Sequence, residues 1–303
     1  MTVTLPSFRI HDSRGRVVLR DGLLFSFFMR RSHGDVAAGL WRAMQTYRTA
    51  IPAQALNGYV MPNGEWAPLD DAGWESVRDE VLQSPWPTGS EVRLQESHDE
   101  VGAYNIEYSG KWLDAPAWQG HEEAVSAAAF TLPTEFLLEH GPVHVRELAL
   151  SLAAELPWSF GYVSPALISP GGLRSAARQA AQELCLRFPG LDVYNLRPTA
   201  RSIGTRARGA YWLTFLGQPL LGQLGGTESL RQRLPSSVSF HPVGSERILL
   251  SLGEWPLAGE TSAQDDMSPY RAVARMLEPH LYRERTPWLI DEAFEDRWLR
   301  RFL

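Results

Sequence analysis

The segment from Gly209 to Gly226, GAYWLTFLGQPLLGQLGG, constrains the fold more than any other. Over Tyr211 to Leu216 the alternate sets Tyr211, Leu213, Phe215 and Trp212, Thr214, Leu216 are both mostly apolar. A strand apolar on both faces must be covered on both, so it is expected at the centre of a sheet between layers. Gly217 ends it, and Pro219 opens a short helix over 220–224. Gly225 stands where a left-handed C-cap is wanted. The glycines do not make a phosphate loop: Thr227-Glu228 follows them, with no lysine, and the dinucleotide spacing is absent.

Periodicity elsewhere alternates between strand and helix. Strands are expected at 16–29, with a turn near Asp21-Gly22, and at 91–94, 104–112, 127–132 and 158–163. Val238 to His241 and Arg247 to Leu252 form a hairpin around Gly244-Ser245, and Asn63-Gly64 turns another extended pair. Asp35 caps a helix with Ala37, Leu40, Trp41, Met44 and Tyr47 on its apolar face. Further helices are expected at 72–82, from Pro142 to Leu156, at 173–188, and from Pro269, a final long helix reaching Leu281. These elements predict an α+β fold with a mixed β-sheet covered by amphipathic helices. The 303 residues form one large domain, divisible into an acidic N-terminal lobe (1–120) and a C-terminal α/β lobe (121–303).

A single cysteine, Cys185, excludes an internal disulfide and any multi-cysteine metal site. Its helical neighbours make it a buried small hydrophobe. No stretch has the length of a membrane span or a signal-peptide core, so a cytoplasmic protein is expected. Lys111 is the only lysine among 29 basic residues.

Catalytic signatures are missing. His144 and Glu147 stand one helical turn apart, but nothing supplies a third zinc ligand. Gly161-Tyr-Val-Ser164-Pro165 lacks the second glycine of a nucleophile elbow, and Pro165 blocks a helix directly after the serine. No cofactor or metal is expected. A hydrolase using carboxylate or histidine chemistry remains the alternative, because acidic pairs are abundant.

Charge is uneven. Between 55 and 125 there are fourteen acids and three bases, although the whole chain carries only −6. Asp71, Glu75 and Asp79, spaced four apart, share one helix face. Five tryptophans (Trp66, Trp74, Trp86, Trp112, Trp118) and three tyrosines are interleaved with the acids. Aromatic anchors among carboxylates suit the capture of a basic protein, while nucleic acid would be repelled. The candidate contacts are Asp70, Asp71, Trp74, Glu75, Asp79, Glu80, Glu96, Asp99 and Glu100.

Trp158-Ser-Phe-Gly-Tyr-Val-Ser-Pro165, Leu186-Arg-Phe-Pro-Gly-Leu-Asp-Val193, and Tyr211 to Gly217 with Leu224-Gly-Gly226 carry a resemblance, as does Tyr270 to Pro279. The chain resembles, from about Arg16 to Leu281, the type VI secretion immunity proteins against VRR-Nuc nuclease toxins. These are packing motifs, and no site residue is carried over from them. The resemblance implies a cytosolic antitoxin without catalysis, whose partner is a cognate nuclease effector. It would act by covering the effector's active site or DNA groove.

Overall fold

The computed structural model describes residues 5–61, 63–169, 173–260, 265–283 and 292–303. Its strands are β1 (Arg9–His11), β2 (Val17–Met29), β3 (Gly58–Val60), β4 (Trp66–Pro68), β5 (Gly89–Gln95) and β6 (Asn105–Lys111). Then come β7 (Ser126–Leu132), β8 (Phe160–Ile168), β9 (Asp192–Val193), β10 (Leu213–Leu216), β11 (Ser239–Pro242) and β12 (Ile248–Ser251). The helices are α1 (His33–Ala50), α2 (Asp71–Leu82), α3 (Thr134–Glu155), α4 (Arg174–Arg187) and α5 (Leu196–Ala200). They continue with α6 (Leu220–Gln223), α7 (Gly226–Arg233), α8 (Ser268–Leu277) and α9 (Glu292–Leu299).

All the strands join one sheet, whose main path runs β11-β12-β10-β8-β2-β7-β6-β5-β3-β4. β1 adds to β2, and β9 adds to β8 as the one parallel strand pair among the described residues, beside an isolated parallel bridge between Ala207 and Leu281. The sheet is therefore mixed, and the fold is α+β as expected.

Residue chemistry explains the order. β7, β8 and β10 are buried along their whole length, so each needs cover on two faces. Phe25 of β2 stands opposite Phe130 of β7, and Tyr47 of α1 packs on Phe130 with ring centroids 5.3 Å apart. α1, α2 and α3 cover that face. On the other face Tyr162 of β8 hydrogen-bonds Asp192 of β9 at 2.7 Å, and α4 and α5 pack over β2, β6 and β7.

Several boundaries differ from expectation, each for a local reason. No turn interrupts β2 at Asp21-Gly22. The Asp21 carboxylate is buried, where it accepts the Phe8 amide at 2.6 Å and pairs with Arg9. A Cβ on Gly22 would stand 2.9 Å from the Leu132 carbonyl, so glycine serves close strand approach there. α1 starts at His33 with Ser32 at the cap position, and Asp35 lies in the first turn. β10 starts at Leu213, because the Thr214 hydroxyl binds both the amide and the carbonyl of Tyr211. β8 runs on through Pro165, which pairs with Leu23 of β2 but lies beyond the reach of β10. Its missing N–H costs no ladder bond there. Pro142 does open a helical segment, but another precedes it, joined through Gly141 at φ 82°. The helix from Pro269 ends at Leu277 and is followed by α9. Gly225 has the left-handed φ of +90°.

Candidate partner-binding surface

Asp70 caps α2 by accepting the Gly73 amide at 2.9 Å. Trp74, Val77 and Val81 form the buried stripe. Trp74 packs edge-on against Trp41, with centroids 6.3 Å apart, and under the Arg48 guanidinium at 4.3 Å. It anchors the helix and is not free to anchor a partner. Asp71, Glu75 and Asp79 are exposed along one side, with Arg78 bonded to Glu75 at 3.1 Å.

Beside this acidic row lies a groove of about 470 Å³. Tyr59, Val60, Met61, Val77, Pro85 and Val92 supply its apolar wall, and Asp79 and Glu80 its rim. The groove exists because β3 is short. It pairs with β5 only at Gly58↔Gln95 and Tyr59↔Leu94, so Gly89 to Arg93 have a strand neighbour, β6, on one side alone. A second hollow of about 250 Å³, lined by Trp86, Thr88, Gly110 and Trp118, shares Glu80 and Glu91 with the first. Trp86 is 46% exposed. Its indole donates to Glu80 at 3.1 Å, while Trp112 and Trp118 donate to the carbonyls of Trp86 and Thr88 at 3.0 and 2.7 Å. The indole N–H groups thus pin the loop and leave ring surface at the edge.

The remaining candidates lie elsewhere. Glu96 is spent on the amides of Ala103 and Tyr104. Glu100 accepts the Val17 amide at 3.2 Å, and Asp99 sits 3.1 Å from His98. His98, Asp99 and Glu100 border a cavity of about 500 Å³ on the opposite face of the sheet. The nine candidates therefore fall into two groups, with α2 and its flanking groove as one.

Glu107 lies in that cavity. Burial pushes its carboxyl up to about 7, against the opposing pull of Arg93 and Arg174. Tyr194 donates to one oxygen, and Arg93 stands 3.9 Å from the other. Ser164 is fully buried in β8, which removes it as a nucleophile. The lone lysine is buried too: Lys111 donates to the Val125 carbonyl at 2.7 Å, and desolvation lowers its pKa. Cys185 is buried as expected. Among the described residues no group of three or more His, Cys, Asp or Glu is placed to hold a metal ion. No described helix is long and apolar enough to cross a membrane.

Sequence placed Trp86 and Tyr59 among the aromatics and Asp79 and Glu80 among the candidate contacts, but the groove that gathers them and the cavity arginines were not legible in it. The spacing of Arg197 and Arg201 was the one available signal for the cavity.

The family model TsiV, described as type VI immunity for VRR-NUC, matches residues 39–302. The solved structure of the Pseudomonas aeruginosa T6SS protein PA0821 is similar in fold, with a TM-score of 0.79 and 19% identity. The match covers 99% of this chain and 88% of that one. Among curated proteins none matches the chain.

Proposed function

The chain belongs to the family of type VI immunity proteins for VRR-NUC, and we propose that it is a cytoplasmic, non-catalytic antitoxin. It binds a VRR-Nuc nuclease effector and neutralises it by covering the active site or DNA groove. One observation carries the choice of surface: the exposed carboxylates of α2 border an apolar groove on a partly unpaired strand. A nuclease must present cationic side chains to phosphate. Asp71, Glu75 and Asp79 can stand in for phosphates, while the groove and Trp86 accept apolar side chains. Within this reading Asp70 and Trp74 hold α2 in place. Glu96 shapes its loop, and Asp99 and Glu100 belong to a different face.

The test is DNA cleavage by the effector with and without one equivalent of this protein. Stoichiometric loss of cleavage is expected. Replacing Asp71, Glu75 and Asp79 together by alanine should weaken the complex by about tenfold or more, mainly through slower association. Trp86→Ala should speed dissociation. Undiminished cleavage without a complex on a sizing column would refute the partner. Full affinity in the triple variant would move the interface off α2.

A further inference from the structure

β5 borders a vacant strand position. β3 is in register with it only at Gly58↔Gln95 and Tyr59↔Leu94, and Met61 then donates to the Glu65 carbonyl at 2.8 Å, closing the hairpin to β4. Beyond that hairpin no described strand lies beside Gly89 to Arg93 on this side. The main-chain groups that face the gap follow from the ladder. Trp112 donates to the Thr88 carbonyl and Glu96 to the Tyr104 carbonyl, both at 3.1 Å, so the even-numbered residues bond towards β6. In an antiparallel ladder the alternate residues point the other way. Both ends of β5 agree: the Ser84 hydroxyl donates to the Gly89 carbonyl at 2.9 Å, and the Asn57 amide to the Gln95 carbonyl at 3.0 Å. The N–H and C=O of Glu91 and the N–H of Arg93 therefore point into the gap.

This gap is the floor of the groove beside α2, with Val77, Pro85 and Val92 on its wall and Asp79 and Glu80 on its rim. The Glu91 side chain does not close it. Its carboxylate is held from the α5 side of the sheet, by Ser109 at 2.8 Å and Arg197 at 3.0 Å. The strands at the two ends of the sheet are poorer templates. β4 has three residues and ends on Pro68, and β11 has four and ends on Pro242. A proline withholds a ladder donor.

We propose that the gap receives an extended, basic segment of the nuclease effector, which adds a strand to β5 in line with β3. The inference rests on the antitoxin reading and specifies how the partner is held. At roughly 3.3 Å per residue, Gly89 to Arg93 offers about 13 Å, room for a segment of about five residues. Main-chain bonds to Glu91 and Arg93 supply affinity, and alternate side chains supply selectivity. Charge complementarity selects the occupant. Side chains on the α2 side lay their apolar stems on Val77 and Val92 and bring ammonium or guanidinium heads to Asp79 and Glu80. An acidic segment is repelled by the same rim. A nuclease segment that contacts phosphate has the required charge.

Residue-resolved amide hydrogen exchange, measured on the whole protein alone and saturated with the effector, tests the proposal. The Glu91 and Arg93 amides should slow by about tenfold or more in the complex. The Val92 and Leu94 amides, already bonded towards β6, are the internal reference. Glu91→Pro removes an N–H on the open side and no bond to β6. It should weaken the complex by about tenfold more than Glu91→Ala, which removes only the carboxylate. If the proline variant does not fold, exchange alone carries the test. A complex that inhibits cleavage while Glu91 and Arg93 exchange as fast as in the free protein overturns strand addition and leaves the antitoxin reading standing. So does a folded Glu91→Pro variant that binds as well as Glu91→Ala. Absence of any complex overturns both.

Discussion

Glu107 shows how far burial can move a single residue. Its carboxyl rises from the ordinary 4.5 to about 7, mainly through desolvation. The unfolded chain releases this proton near 4.5, and the folded protein holds it to about 7. Between those values the folded state binds more protons, so stability falls as pH rises. Glu107→Gln removes that loss. Melting temperatures at pH 5 and pH 8 should show a smaller drop in the variant, with the difference worth on the order of 1–3 kcal/mol. An equal drop in both proteins would contradict it. Asp192 makes the opposite case, a buried charge fully engaged. It accepts from Tyr162 at 2.7 Å, from Tyr211 at 3.3 Å and from Arg208, whose other nitrogen donates to the Val193 carbonyl at 3.1 Å. Asp192→Ala takes away the carboxylate that the buried Arg208 pairs with and should cost about 3–5 kcal/mol by denaturant unfolding. A cost under about 1 kcal/mol would show that water or relaxation rescues the arginine.

Elements meet closely where a side chain is missing. A Cβ on Gly39 of α1 would stand 2.1 Å from the Glu155 carbonyl of α3. Alanine is the better helix former by about 1 kcal/mol. Here the clash is with backbone, so α1 and α3 must part. Gly39→Ala should therefore lower stability by about 1–3 kcal/mol net, measured by chemical denaturation. A gain would mean that the two helices separate freely. The cap of α2 is a milder case: Asp70→Ala should cost about 1 kcal/mol, and effector affinity should change only through fraying of the first turn. The element pattern was largely legible. The apolar faces of α1, α4 and α8 and the hairpin of β11 and β12 follow from local periodicity. The length of β2 was legible too, but its continuity was not, because Asp21-Gly22 reads as a turn until Phe8, Arg9 and Leu132 are brought beside it. The start of β10 was misread for a similar reason: a threonine hydroxyl competes with the ladder for Tyr211.

At the scale of the molecule, β2 ties the two halves together. It lies between β7 and β8, both drawn from 121–303. The span 1–120 therefore keeps only the three-residue β1 beside its longest strand and lacks the two long neighbours. Calorimetry is expected to show one unfolding transition, and two well-separated ones would speak for independent lobes. Charge acts at this scale too. The acids of 55–125 create a field that attracts a basic partner over about one Debye length, near 8 Å at physiological salt. Association with the nuclease effector should slow steeply between low and high salt, with dissociation changing little. An association rate indifferent to salt would mean that α2 does not steer the encounter.

Sequence alone determined the α+β class, the central position of β10, the burial of Cys185 and the acidic character of α2. Each depends on periodicity, composition or charge over neighbouring residues, which any fold must respect. Its packing motifs also carried the family resemblance, since they lie in the buried strands around Tyr162, Asp192 and Tyr211. The tertiary structure decided which acids stand together. It turned Trp74 inward and Trp86 outward, and separated Asp99 and Glu100 from Asp71, Glu75 and Asp79. It also gathered five arginines around one cavity. Those outcomes depend on strand register and on where β3 stops, and register is set by contacts between residues far apart in the chain.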